Sequence, residues 1–293
     1  MDKILLTGAT GFLGSHLLIG LLEKTNYEIV ILKRSFSNTF RIDEVLKNPR
    51  VKFYDLDKTN LENIFKENKI ETIIHCATNY GRNNEDILNI VQSNLMLPLN
   101  LLQLAIKYGV KTFINTDTVI DKNVNQYSLS KKQFLDWLKE GASKINCVNV
   151  SLEHFYGALD NNTKFTTYII KSLLNNVEKL DLTKGEQKRY FIYIDDVVEA
   201  FLTILENIEG FDKSFTSFEV STSENITIKD FVLLVKELTK NTNTKLNFGT
   251  IPYRENELME CKTDISALKN LGWSPKTEIK EGLKKTISEE LGK

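Results

Sequence analysis

The segment Thr7-Gly8-Ala9-Thr10-Gly11-Phe12-Leu13-Gly14 constrains the fold more than any other stretch of this chain. It follows a short apolar run, Lys3 to Thr7, and opens onto a helical spacing of Phe12, Leu13, Leu17, Leu18, Leu21 and Leu22. Strand, glycine turn and helix in that order begin a dinucleotide-binding unit. Gly8 can turn tightly off the strand, Gly11 leaves room for a pyrophosphate to approach backbone N–H groups, and Gly14 lets the helix lie close to the sheet. The positive end of the helix then faces the anion. Without this context a GxxGxxG spacing would describe only a tight turn packing a helix on a strand. Here a second strand, Tyr27-Leu32, ends about twenty residues further on, as the dinucleotide fold requires. The expected cradle is therefore Gly8, Thr10, Gly11, Phe12, Leu13 and Gly14.

Further apolar, β-branched runs at Val51-Tyr54, Thr72-His75, Lys111-Thr116 and Asn146-Leu152 read as parallel strands buried on both faces. Helical spacings at Leu61-Phe65, Ile87-Tyr108 and Tyr127-Lys144 alternate with them, which predicts a doubly wound, Rossmann-type α/β sheet. After Gly157 the alternation loosens. Helices are expected at Phe165-Asn175, Asp195-Asn207, Ile228-Lys240, Asp264-Leu271 and Ile279-Leu291, with short strands at Phe191-Ile194, Phe218-Val220 and Lys245-Phe248. Asn-rich stretches near Asn161 and Asn241 read as surface turns. The expected organisation is a dinucleotide-binding domain over 1–157 and a smaller substrate-binding α/β region over 158–293, with segments near 190–221 packing back onto the first.

A net charge of −1 and a pI near 6.4 offer no global field for a nucleic acid or an anionic membrane. No apolar run approaches the roughly 20 residues of a membrane span. Cys76, Cys147 and Cys261 are odd in number, far apart and without metal-ligand spacing, so they read as reduced thiols with no metal site. Together with an N-terminus that lacks a signal-peptide pattern, they lead to the expectation of a cytoplasmic enzyme acting on a small anionic molecule.

At the end of the second strand a protein that prefers NAD places Asp or Glu against the ribose 2′-hydroxyl, but this chain has Leu32-Lys33-Arg34-Ser35. A guanidinium at Arg34 suits a 2′-phosphate, so NADP(H) is favoured and NAD(H) is the alternative. The pair Tyr127 and Lys131, four residues apart in Tyr-Ser-Leu-Ser-Lys, shares one helical face. A phenol ordinarily titrates near 10 and needs a neighbouring cation to move protons at neutral pH, which Lys131 supplies.

On these segments the chain resembles the extended short-chain dehydrogenase/reductase family, the NAD-dependent epimerases and dehydratases of nucleotide sugars. The resemblance runs from TGATGFLG through Asp55-Leu56, Ile74-His75-Cys76-Ala77, Asn94 and YSLSK to Leu152-Glu-His-Phe-Tyr-Gly157. It continues in Arg189-Tyr-Phe-Ile-Tyr-Ile-Asp-Asp196 and Leu271-Gly-Trp-Ser-Pro275. It implies that Asp55 and Leu56 meet the adenine, that Cys76, Ala77 and Thr78 line the dinucleotide cleft, and that Asn94 supports the active site from behind. It also implies a hydroxyl at the end of the fifth strand that holds the substrate oxygen. Two registers compete for that role, Thr116 and Thr118; the ungapped count from Val110-Lys111 favours Thr118 and leaves Thr116 against the cofactor. Arg189 and Arg254 are implied to grip the nucleotide diphosphate, with Arg82 and His154 as further substrate contacts. Homodimerisation through the helices around 87–108 and 127–144 is implied as well.

The resemblance implies Thr-Asp-Glu in a dehydratase, where this chain has Thr118-Val119-Ile120 in the favoured register and Thr116-Asp117-Thr118, which lacks the Glu, in the other, so dehydration is not expected. The segments Ile-Asn-Thr-Asp-Thr, YSLSKKQF and LEHFYG resemble the CDP-abequose synthase group, which implies NADPH-dependent reduction of a nucleotide-linked 4-keto-6-deoxy sugar. An epimerase holding NAD tightly is the alternative, and an NADP-binding regulator without turnover the minority one. Replacing Arg34 with Asp is expected to move the ratio of kcat/KM values toward NAD(H) and away from NADP(H). An unchanged ratio would contradict the assignment of Arg34.

Overall fold

A computed structural model describes residues 2–82, 84–211, 214–255 and 257–292. The chain divides into two compact units, Met1–Leu152 with Ala200–Glu219, and Glu153–Glu199 with Val220–Lys293.

In the first unit six strands pair in parallel: β1 (Lys3–Thr7), β2 (Glu28–Lys33), β3 (Val51–Asp55), β4 (Ile70–His75), β5 (Thr112–Thr118) and β6 (Asn146–Leu152). The helices between them are α1 (Phe12–Lys24), α2 (Leu61–Glu67), α3 (Ile87–Val91), α4 (Leu97–Lys107) and α5 (Gln126–Gly141). The strand order 6-5-4-1-2-3 reverses at β1, so the crevice at the carboxyl ends of β1 and β4 is the switch point where a doubly wound sheet binds its ligand. Leu5, Val30, Ile73, Phe113 and Cys147 from the strands pack with Ile64, Leu101, Phe134 and Leu138 from the helices in one apolar core.

Several sequence expectations shift by a few residues, each for a local reason. The fifth strand continues two residues beyond the expected Thr116, because Asp117 and Thr118 still pair with Ser151 and Leu152. Helix α5 starts at Gln126 on a capping box in which Asn125 Oδ1 accepts the Ser128 N–H at 2.8 Å, and it ends at Gly141 rather than Lys144. The helix expected over 87–108 is interrupted by a π-helical turn, Gln92–Met96, that carries the fully buried Asn94. Such turns cluster at functional sites. Among the described residues one helical stretch, Ile87–Lys107, is long and apolar enough to cross a membrane by length and composition alone; 28% of its most apolar window is buried, and polar residues including Asn94 interrupt it.

The second unit contains β7 (His154–Tyr156), β8 (Lys179–Leu182), β9 (Lys188–Arg189), β10 (Phe191–Tyr193), β12 (Ile226–Thr227) and β13 (Lys245–Phe248). They form three two-stranded pairings, β10 with β7, β12 with β9, and β13 with β8. The helices α6 (Phe165–Leu174), α8 (Ile228–Leu238), α9 (Ser266–Asn270) and α10 (Ile279–Leu291) complete it. The segments that cross from one unit to the other are α7 (Ile194–Glu206) and β11 (Phe215–Val220), the latter an edge strand beside β6 in the seven-stranded sheet.

Asn241 departs from the expected surface turn. It is buried, and its amide donates to Leu173 O at 2.7 Å and to Thr244 Oγ1 at 2.9 Å while its oxygen accepts the Thr244 N–H. Two motifs in the second unit explain each other in the same way. The Asp196 carboxylate is buried and accepts the N–H groups of Lys276 and Thr277 at 3.1 and 2.9 Å, and the indole N–H of Trp273 donates to the Asp196 carbonyl at 3.1 Å. Asp196→Ala leaves two backbone donors without their acceptor and is expected to cost about 2–3 kcal/mol in urea unfolding. A loss below about 0.5 kcal/mol would show that these bonds are replaced by water.

Candidate active site

The glycine turn is held by geometry that only glycine permits. Gly8 has φ of +71°, and a Cβ there would lie 2.6 Å from Ala77 N. A Cβ on Gly14 would press into the Gly8 carbonyl. The N-terminus of α1 has no side-chain cap on Gly11 and no acidic residue in its first turn, so its positive end is not neutralised from within. Phe12 and Leu13 are buried, and the Phe12 ring meets His16 edge-on at 4.7 Å.

The ends of β1 and β4 are joined by the Thr7 hydroxyl, which accepts the N–H groups of Cys76 and Ala77, both at 3.1 Å. Its proton therefore points to His75 Nδ1, 2.9 Å away, and the imidazole carries its own proton on Nε2. His75 stays neutral: burial holds it well below the usual imidazole range, and the Lys131 charge pushes the same way. Burial lifts the Cys76 thiol to about 12, against the pull of Lys131.

Asn94, on the π-helical turn, bridges three elements. Its Oδ1 accepts the Asn79 N–H at 2.7 Å and the Thr78 hydroxyl at 3.2 Å, while its Nδ2 donates to Asn79 O at 2.8 Å and Ser130 Oγ at 2.9 Å. The loop after β4 is thereby tied to α5 between Tyr127 and Lys131.

Both candidate threonines are buried at the end of β5, but they face different partners. Thr116 Oγ1 donates to His75 O at 2.9 Å, a bond within the sheet. The Thr118 hydroxyl accepts the Ile120 N–H at 3.2 Å and lies close enough to the Tyr127 phenol to draw its pKa down. Tyr127 also packs against Tyr80, ring to ring at 5.0 Å, and the Arg82 guanidinium lies 5.2 Å from the Tyr80 ring centre. The surrounding protein, with Tyr80 and Asp117, raises the phenol above its ordinary range, while Thr118 and Arg82 draw it back. Four residues on, Lys131 is 1% exposed, and its Nζ has no hydrogen-bond partner among the described residues. Burial drops the ammonium to about 8, with Asp117 and Cys76 acting to keep it charged and Lys132 opposing them.

At the end of β2 the side chains are already sorted. Lys33 is paired with Asp55, the residue implied at the adenine, and the Leu56 N–H donates to Lys33 O at 2.8 Å. Asp57 accepts both the N–H and the hydroxyl of Ser35, at 2.7 and 2.6 Å. Arg34 is exposed over the Phe36 ring at 4.8 Å. Arg41, which sequence reasoning missed, lies over Phe40 at 4.4 Å and donates to Thr10 O at 3.3 Å, within the glycine turn. Its distance in sequence from Thr10 hid it.

Arg189, Arg254 and His154 belong to the second unit. Arg189 is nearly buried and engaged, Nη2 with Glu257 at 2.7 Å and Nη1 with Lys188 O at 2.7 Å. Arg254 is exposed. His154 Nδ1 lies 3.0 Å from Glu153 Oε2, and the other oxygen of that buried carboxylate has no partner among the described residues.

Comparison with known proteins gives a consistent picture. The family model described as "NAD dependent epimerase/dehydratase family" matches residues 4–216. The CDP-abequose synthase of Salmonella muenchen is 37% identical over 98% of this chain and 97% of its own length. The dTDP-D-glucose 4,6-dehydratase of Dictyostelium discoideum is 30% identical over 75% of this chain and 60% of its own. Among solved structures, UDP-glucose 4-epimerase from Thermotoga maritima aligns at a TM-score of 0.85 and 24% identity, covering 99% of each chain. UDP-glucuronic acid 4-epimerase from Bacillus cereus, solved with UDP-glucuronic acid and NAD, aligns at 0.86 and 22%, again covering 99% of each. These likenesses show the fold.

Proposed function

Because this chain belongs to the NAD dependent epimerase/dehydratase family, we propose that it reduces a nucleotide-linked 4-keto-6-deoxy sugar to the 4-hydroxy sugar with NADPH. The observation that carries the reading is the buried Lys131 ammonium, without a hydrogen-bond partner among the described residues, one helical turn from a phenol beside Thr118.

The residues present fit a nicotinamide dinucleotide. The glycine cradle has room only where a Cβ is absent, α1 presents a bare positive end, and the orphaned Lys131 Nζ is a donor in need of acceptors such as ribose hydroxyls. Gly8, Thr10, Gly11, Phe12, Leu13 and Gly14 would hold the pyrophosphate side, with Asp55 and Leu56 at the adenine, Cys76, Ala77 and Thr78 along the cleft, Asn94 behind it and Thr116 at its wall. Tyr127 and Lys131 would meet the nicotinamide half. When bound, the cofactor supplies the hydride. Tyr127 supplies the proton to the sugar oxygen, Thr118 hydrogen-bonds that oxygen, and Lys131 favours ionisation of the phenol as the proton leaves.

Support for NADP(H) over NAD(H) comes from the cationic corner at the end of β2. Lys33 is taken by Asp55, whereas the two guanidiniums of Arg34 and Arg41 lie on exposed phenylalanines where a 2′-phosphate would need bidentate donors. A nucleotide diphosphate suits Arg254, and Arg189 would join it on exchanging Glu257 for phosphate oxygens. Arg82 and His154 are proposed sugar contacts. The relatives' names support a nucleotide sugar as substrate class. We place the enzyme in the cytoplasm as a homodimer, a reading supported by its free cysteines and by the exposed Leu88, Met96, Leu129 and Trp137 on the helical stretches over 87–107 and 126–141.

The test is oxidation of NADPH by a panel of nucleotide-linked 4-keto-6-deoxy sugars. Tyr127→Phe is expected to lower kcat by about 10²–10⁴-fold and Thr118→Ala by about 10²-fold, with Thr116→Ala near the parent. A large loss in Thr116→Ala with little in Thr118→Ala would reverse the roles of the two hydroxyls. Interconversion of nucleotide sugars without net NADPH oxidation would establish the epimerase instead, and binding without turnover the regulator.

A further inference from the structure

Asp117 lies between the two threonines of β5, and its side chain is wholly buried. Its hydrogen bonds reach Thr118, α5 and the neighbouring strand β6. Its Oδ1 accepts the Thr118 N–H at 2.7 Å. Its Oδ2 accepts Lys132 Nζ at 2.9 Å and Asn149 Nδ2 at 3.2 Å. Lys132 Nζ donates in turn to Thr118 O at 2.6 Å, so the ion pair grips both backbone polar groups of Thr118. Asn149 on β6 is itself fixed by Asn115 Nδ2 at 2.8 Å. One carboxylate thus joins the end of β5, the neighbouring strand β6 and the second turn of α5, where Lys132 follows Lys131.

We propose that Asp117 and Lys132 are positioning residues, an internal ion pair that clamps Thr118 against the Tyr127 face of α5 and balances the charge around Tyr127 and Lys131. This rests on the acid–base reading of Tyr127 given above. In that role the carboxylate that follows Thr116 is committed to Lys132 rather than to substrate, which separates this chain from one that uses a Thr-Asp pair to remove water.

The charges facing the site define the sign of the effect. Tyr127 faces Asp117 and Thr118 from β5, and Tyr80 and Arg82 from the loop after β4. Lys131 faces Asp117 from β5, Cys76 from the end of β4 and Lys132 on its own helix, and it acts on His75, which remains neutral. Asp117 favours the protonated form of both Tyr127 and Lys131, and Lys132 disfavours it at Lys131. Removing the carboxylate therefore lets Lys131 lose its proton at lower pH, and removing the Lys132 charge makes it hold the proton to higher pH.

The experiment is a carbon-13 NMR titration of the Lys131 Cε resonance, assigned by its loss in Lys131→Met, on the full chain without substrate. The parent midpoint is expected near pH 8. Asp117→Asn is expected to lower it by about one unit and Lys132→Met to raise it, with the double variant between the two. Midpoints that stay in place, or that move the same way in both variants, overturn the proposal. Thermal unfolding monitors integrity, and Lys132→Gln replaces Lys132→Met if the latter does not fold. Opposed midpoints without turnover of any nucleotide sugar leave this inference standing while the functional reading falls.

Discussion

A lysine ammonium buried without an acceptor is the constraint on which the first unit depends. Burying an unpaired charge is costly, and the chain meets that cost through the neighbours it places around Lys131 rather than by a direct partner. Asp117 opposes the charge from β5, and the Lys132 ammonium takes up much of that carboxylate's hydrogen-bonding capacity. His75 is kept neutral by its burial, with the Lys131 charge acting in the same direction. The thiol of Cys76 remains protonated. What results is a buried ammonium with no hydrogen-bond partner among the described residues, in the unit whose doubly wound sheet takes its ligand at the switch point.

The same economy explains why the backbone here is so tightly specified. The glycine turn can approach β4 only because Gly8 lacks a Cβ, and the loop after β4 can hold its course only because Asn94 accepts and donates on both sides of it. The π-helical turn places that asparagine, and through Ser130 it fixes α5 at the level of Tyr127. The glycine turn and the stretch of α5 that carries Tyr127 and Lys131 are therefore parts of one hydrogen-bonded assembly.

Features set by neighbours in sequence were legible before the structure. The glycine spacing, the four-residue separation of Tyr127 and Lys131, and strands such as Lys3–Thr7 and Asn146–Leu152 follow from local periodicity, and the structure reproduces those strand bounds. Features that depend on partners far along the chain were not. Thr116 and Thr118 share a strand face by alternation, and only the positions of His75 and Tyr127 distinguish their hydroxyls. Arg41 is joined to Thr10, and Arg189 to Glu257, across long loops with no signal in spacing. Strands of two to four residues, such as β7, β8, β9 and β12, are too short to show a period, and Asn241 looks like any turn asparagine until its hydrogen bonds to Leu173, Asn176 and Thr244 are seen.

The measurement that bears most directly on the account is the fate of the hydride. NADPH carrying deuterium at the transferable C4 position is incubated with the enzyme and a nucleotide-linked 4-keto-6-deoxy sugar, and product and cofactor are analysed by mass spectrometry. The account predicts a deuterium on the sugar C4 of each product molecule, matched by an equal amount of NADP⁺. A product formed without deuterium, or label scrambled between sugars with no net NADP⁺, would contradict it.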